Sequence, residues 1–211
     1  NELAGLAENI RNSKIGDSFT QLCYKKDFFI VTGFAEKYED KIYNSAFLIG
    51  PEGIIHTYRK LHLFNEEKNI FDPGNIPLCI NEINDINIGI MVCWDWIYPE
   101  VARKLAVEGA DIICHPSNLV LPYGQYSMVT RSMENNIYSI TANRIGSDNR
   151  PHGSIKFTGK SQIVAPKGKV IYQAKAQKEE LFITEIDINE ARNKKMTNHN
   201  DLIKDRRSEF Y

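Results

Sequence analysis

NIGIMVCWDWIYPEVARKLAVEGADIICHP (87–116) decides the fold class. Its first seven residues form an apolar run of strand type that stops at Cys93. Pro99 suits a helix's first turn, and EVARKLAVEG (100–109) continues from it with apolar residues at Val101, Leu105 and Ala106. Gly109 is a natural terminator, and ADIICHP (110–116) reads as another buried strand. Strand–helix–strand with a cysteine at the first strand's C-terminal end places that thiol at a sheet edge beside a helix entrance. Ligands of α/β proteins favour that location.

Working outward, DFFIVTGF (27–34) predicts a buried strand ended by Gly33. IYNSAFLI (42–49) and IIHTYRK (54–60), joined by Gly50-Pro51-Glu52-Gly53, predict a hairpin with Lys60 at its far end. Residues 61–77 are a loop punctuated by Asp72-Pro73-Gly74. Residues 125–137 read as a helix and YSITANRI (138–145) as a strand. SQIVAP (161–166) and KVIYQA (169–174) form a second hairpin around Lys167-Gly168, and ELFITEIDI (180–188) alternates as one more strand. The tail 189–211 is polar, partly helical and ends in Phe210 and Tyr211. No repeat, low-complexity segment or linker interrupts the chain. Residues 1–211 are therefore expected to form one domain, a mixed sheet with helices outside.

A formal net charge of −1 gives no support for nucleic acid or an anionic membrane as a global partner. Lys204, Arg206 and Arg207 are diluted by Asp201, Asp205 and Glu209, as on a solvated face. No stretch approaches the ~20 apolar residues of a membrane span. Cys23, Cys79, Cys93 and Cys114 show neither CxxC pairing nor metal spacing, so no zinc site or disulfide framework is expected. A reduced, cytoplasmic protein is the default, and each cysteine starts as a small buried hydrophobe.

Three segments carry the chemistry: YRKLHLF (58–64), IMVCWDWIYPE (90–100) and HPSN (115–118). Together they resemble the nitrilase, or carbon–nitrogen hydrolase, superfamily, with its lysine in a K-x-H-L-type segment and its cysteine before D-x-x-[FYW]-P-E. YNSAFLIGPEG, FDPGN, EGADIICHPSN, RSMENNIYSITANRIG, FTGKSQIVAPKG and EIDI look like further landmarks of that family, in the right order. The tail is similar to archaeal members of the branch nearest nitrilases and small aliphatic amidases.

The resemblance implies an α/β (α+β) fold, a four-layer α-β-β-α sandwich that commonly pairs through its helices into a homodimer or higher homo-oligomer. It makes Cys93 the nucleophile, Lys60 its electrophilic partner, and Glu67 a second glutamate hydrogen-bonded to that lysine. By composition Glu66 is an equal candidate. A thiol attacks well only as a thiolate, which a carboxylate generates and an ammonium stabilises. The resulting oxyanion is assigned to Lys60 Nζ and the backbone N–H of Trp94, one such donor supplying ~3 kcal/mol. No metal or organic cofactor is needed. The family's general base is a glutamate upstream of the lysine at the end of a strand. Glu2 and Glu8 lie in a helix-like stretch similar to the family's segment just downstream of that glutamate. The base is therefore expected before Asn1, and the N-terminal strand and helix region is expected to be lacking.

Other residues take quieter roles. Asp95 and Glu100 are read as fixing the turn after the nucleophile. His62 is read as structural, and His115 with Ser117 is not taken for a serine triad. Asn118 is expected in the pocket wall, with Trp94 and Tyr123 as substrate-binding neighbours and loops 118–126 and 147–156 setting pocket shape. The expected activity is hydrolysis of a small amide to a carboxylic acid and ammonia. Nitrile hydrolysis is the alternative and N-carbamoyl hydrolysis the third. A non-catalytic oligomeric binding protein on the same scaffold and a redox sensor built on Cys93 are the rival classes.

Overall fold

A computed structural model describes residues 2–150 and 153–210; expectations that touch Asn1, Pro151, His152 or Tyr211 lie outside them. The chain opens with helix α1 (Glu2–Leu6) and then α2 (Lys14–Lys26). The Ser13 hydroxyl caps α2 by accepting from Gly16 N at 2.8 Å, and Asp27 ends it in the left-handed region at φ 53.

Asp27 thus belongs to a helix cap, and the strand read at 27–34 starts later, as β1 (Ile30–Tyr38). Gly33 does not end it: it pairs with Ala46 in mid-ladder, and the chain turns only at Glu39, φ 55. β2 (Lys41–Gly50) and β3 (Gly53–Arg59) form the expected hairpin, giving an antiparallel sheet in the order β1-β2-β3.

The second sheet begins with a hairpin that the sequence patterning does not reveal. β4 (Ile80–Ile83) and β5 (Ile86–Ile90) join through Asn84-Asp85, both at positive φ, the demand of a tight primed turn. After a 3₁₀ turn at Cys93–Ile97 come α3 (Pro99–Val107), β6 (Ile112–Ser117), α4 (Gly124–Asn135) and β7 (Tyr138–Asn143). β8 (Ser147–Arg150) and β9 (Gly153–Lys156) pair in the stretch expected to be a loop; β10 (Gln162–Val164), β11 (Val170–Gln173) and α5 (Ile188–Arg192) come next. The order β11-β10-β7-β6-β5-β4 is mixed, with β5, β6 and β7 parallel at its centre.

Period-two alternation stacks the layers. On β2, Phe47 and Ile49 pack with Cys23 of α2, while Ala46 and Leu48 pack toward Ile90 and Val92 across the gap between sheets. On β6, Ile113 turns to Leu105 of α3 and Met128 of α4, and Ile112 to the opposite face. Helix, sheet, sheet, helix is therefore the observed order, as expected.

ELFITEIDI (180–188) departs from expectation, because it is not a strand before α5 starts at Ile188. Leu181 and Ile183 are 87% and 83% exposed. Alternation alone does not make a strand; it requires a neighbour to complete the ladder, and the described residues supply none there.

Candidate active site

The carboxyl ends of the parallel strands converge on a cavity of about 610 Å³, where α/β sheets place their ligands. Cys93 comes just after β5, Ser117 and Asn118 lie at the end of β6, and Asn143 and Arg144 at the end of β7. β1 forms the facing wall with Val31, Gly33 and Ala35, and Asn44, Glu67 and Phe71 close the side.

Cys93 stands at φ 45, a costly conformation for a side chain with a Cβ. Buried polar contacts hold it there. Asp95, fully buried, accepts from Val92 N at 2.9 Å through Oδ2, tying the 3₁₀ turn on itself. The same Oδ2 accepts from Tyr58 OH at 2.7 Å, and Oδ1 lies 2.9 Å from His62 Nδ1. Asp95 thus clamps the segment carrying Lys60 to the segment carrying Cys93. Burial first, and Asp95 second, raise the Tyr58 hydroxyl beyond its ordinary range.

From the other side, His115 Nε2 lies 2.9 Å from the Cys93 carbonyl oxygen. A carbonyl only accepts, so Nε2 carries the proton, and Nδ1 accepts from Thr141 Oγ1 at 3.1 Å. Burial lowers the His115 pKa to about 4, so this ring is neutral. Ser117 Oγ is 3.0 Å from Nε2, but behind the ring stands a threonine rather than a carboxylate, and the pair is no serine triad.

Lys60 is 1% exposed. Its Nζ donates to Glu67 Oε2 at 2.5 Å. Oε2 also accepts from Phe64 N at 2.7 Å, and Oε1 accepts from Asn44 Nδ2 at 3.0 Å. Glu66 instead accepts from Asn69 on the exposed side, so the geometry separates the two glutamates. Burial pushes the Cys93 thiol up. The Lys60 ammonium is the main opposing influence, then the backbone N–H of Asn118 and, more weakly, that of Trp94, while Glu67 adds to the rise. Glu67 thus links the two groups, since it bonds the amine and lines the cavity that contains Cys93.

Cys93, Glu67 and Asn118 line the cavity together, and Lys60 joins them through its bond to Glu67 without being among the lining residues. The Trp94 and Tyr123 side chains do not join them. Trp94 turns across the 3₁₀ turn to a second cavity with Phe64 and Tyr98, leaving only its N–H near the sulfur. Tyr123 is 61% exposed at the start of α4 and is not among the residues lining the cavity. Sequence reasoning missed Asn44, although a polar side chain inside the apolar run IYNSAFLI was a visible signal. It also missed Arg144 and the β1 wall, whose placement depends on how the two sheets face. Among the described residues no cluster of His, Cys, Asp or Glu is suited to a metal ion, and no helix is long and apolar enough to cross a membrane.

The family model for carbon-nitrogen hydrolases matches residues 2–196, and the chain belongs to that family, within the nitrilase superfamily. It is 41% identical over 210 residues to a protein named nitrilase from Pyrococcus abyssi, covering 100% of this chain and 79% of that one. It is 31% identical over 209 residues to an (R)-stereoselective amidase from a Pseudomonas species, covering 98% and 73%. Among solved structures, a carbon-nitrogen hydrolase from Helicobacter pylori superposes with a TM-score of 0.90 at 26% identity, covering 100% of this chain and 78% of that one.

Proposed function

We propose that this carbon–nitrogen hydrolase cleaves a small amide, with Cys93 as nucleophile, Lys60 as the oxyanion's cationic partner and Glu67 as the group that orients Lys60. The observation that carries the reading is the buried Lys60 ammonium, fixed on Glu67 at 2.5 Å beside a cavity that contains Cys93 in a left-handed turn. The Cys93 sulfur bonds to the amide carbon while its proton passes to a carboxylate. The oxyanion faces Lys60 Nζ and the Trp94 N–H, the C–N bond breaks, and ammonia leaves with the transferred proton. Water then attacks the thioester, releasing the carboxylic acid and restoring the thiol. Glu67 has both oxygens engaged by Lys60, Phe64 and Asn44, which suits orientation better than proton abstraction. The resemblance assigns the proton acceptor to a glutamate upstream of Lys60.

The 41% identical relative named nitrilase favours a second reading, attack of the same sulfur on a nitrile carbon. Water adds to the thioimidate, and loss of ammonia leads to the same thioester. Ammonia release from paired short amides and nitriles by the full-length encoded protein separates the two. Cys93→Ala should abolish release from either substrate with an unchanged circular dichroism spectrum, and Lys60→Ala should be nearly as severe. Substantial turnover in Cys93→Ala would end the mechanism. The rival binding-protein reading would gain if an alkylating probe showed no preference for Cys93.

A further inference from the structure

Among the described residues two charged side chains line the cavity, Glu67 and Arg144, and of these two only Glu67 forms an ion pair. Arg144 comes directly after β7. Alternation along that strand puts residues 140, 142 and 144 on one face, and Ile140 and Ala142 line the space between the sheets. The backbone at 144 is pinned on both sides. Its N–H donates to the Ser117 carbonyl at 3.1 Å, and its carbonyl accepts from Gly159 N at 3.1 Å. The guanidinium carbon lies 4.3 Å over the ring of the buried Phe157, a cation–π contact that uses none of the guanidinium's N–H donors in a hydrogen bond.

The adjacent polar groups have other duties. Asn143 Nδ2 donates to Thr158 and Gly159, and Ser161 Oγ donates to the Asn143 carbonyl. Among the described residues no carboxylate pairs with Arg144, so the cavity contains a positioned cation with donors to spare.

We propose that Arg144 binds a carboxylate on the substrate, at the end remote from the scissile bond, so that the preferred substrates are short amides bearing a carboxylate. The proposal rests on the hydrolase reading given above and adds its substrate class. A planar monoanion matches the guanidinium's paired donors. Arg144 is separate from the lysine and glutamate that face the reacting carbon, so it sorts substrates without entering the bond-breaking step.

The test uses three amides of equal length on the full-length encoded protein: succinamate, butyramide and 4-aminobutyramide. The wild type is expected to prefer succinamate. Arg144→Gln should lower kcat/KM for succinamate about tenfold to a hundredfold more than for butyramide, chiefly through KM. Arg144→Glu should move the preference toward 4-aminobutyramide. A second measurement needs no turnover: succinate should slow alkylation of Cys93 by iodoacetamide in the wild type and lose that effect in Arg144→Gln. Wild-type preference for butyramide, an equal loss on both amides, or no protection by succinate would overturn the proposal. Protection without hydrolysis of any amide would keep the carboxylate site and remove the hydrolase reading; hydrolysis without carboxylate preference would do the reverse.

Discussion

His115 and Asp95 hold Cys93 from opposite sides, and the histidine does so as a neutral ring. A histidine whose pKa is about 4 when folded, against ~6.5 when unfolded, leaves the unfolded chain binding more protons between those values. Stability from this site is therefore complete above about pH 6.5 and falls as pH drops toward 4, by a total on the order of 3 kcal/mol. His115→Gln keeps an N–H donor near the Cys93 carbonyl and removes the titration. Urea unfolding across pH 4.5–7.5 should show a shallower pH slope in the variant, and parallel slopes would contradict a buried neutral His115.

Among the elements, the loop between β3 and β4 does most to position the lysine. Its Gly74 N–H donates to the Lys60 carbonyl at 2.9 Å, so the loop end closes back on the strand end. A Cβ at residue 74 would stand 2.1 Å from the Arg59 carbonyl oxygen, too near for any rotamer change to relieve. Gly74→Ala should destabilise the protein by about 1–3 kcal/mol and lower kcat by displacing Lys60. Wild-type melting and turnover in this variant would show that the loop does not hold the lysine. Arg59 anchors the same strand end in a buried pair with Glu36 at 2.6 Å, its guanidinium lying over Tyr38 and Tyr43.

For the molecule as a whole, the cysteines report on the layers. Cys23 is fully buried between α2 and the first sheet, and Cys114 lies where apolar surroundings push its thiol up to about 12. Cys79 is exposed. Brief alkylation near pH 8 should spare Cys23 and Cys114 in the native protein, and their protection should vanish together as denaturant separates helix from sheet and sheet from sheet. Peptide mass spectrometry reads this directly. Modification of native Cys23 as fast as Cys79 would mean that α2 is not docked.

Much of this organisation was legible in the chain. Strand–helix–strand at 87–116, the hairpin ending at Lys60 and the cysteine after β5 all come from periodicity and from the breakers Gly50, Pro51, Pro99 and Gly109, which act within a few residues. Other features needed the assembled molecule. Glu66 and Glu67 are equivalent by composition, yet only Glu67 meets Lys60, because packing turns one side chain inward and leaves its neighbour to Asn69. ELFITEIDI has a strand's alternation but no ladder, and Trp94 adjoins Cys93 but faces away from its cavity. Local sequence determined many of the helices and strands and where several of them break, but not β4, β8, β9 or the strandless 180–187. The facing of two sheets determined which side chains meet, since contacts between residues distant along the chain arise only from tertiary packing.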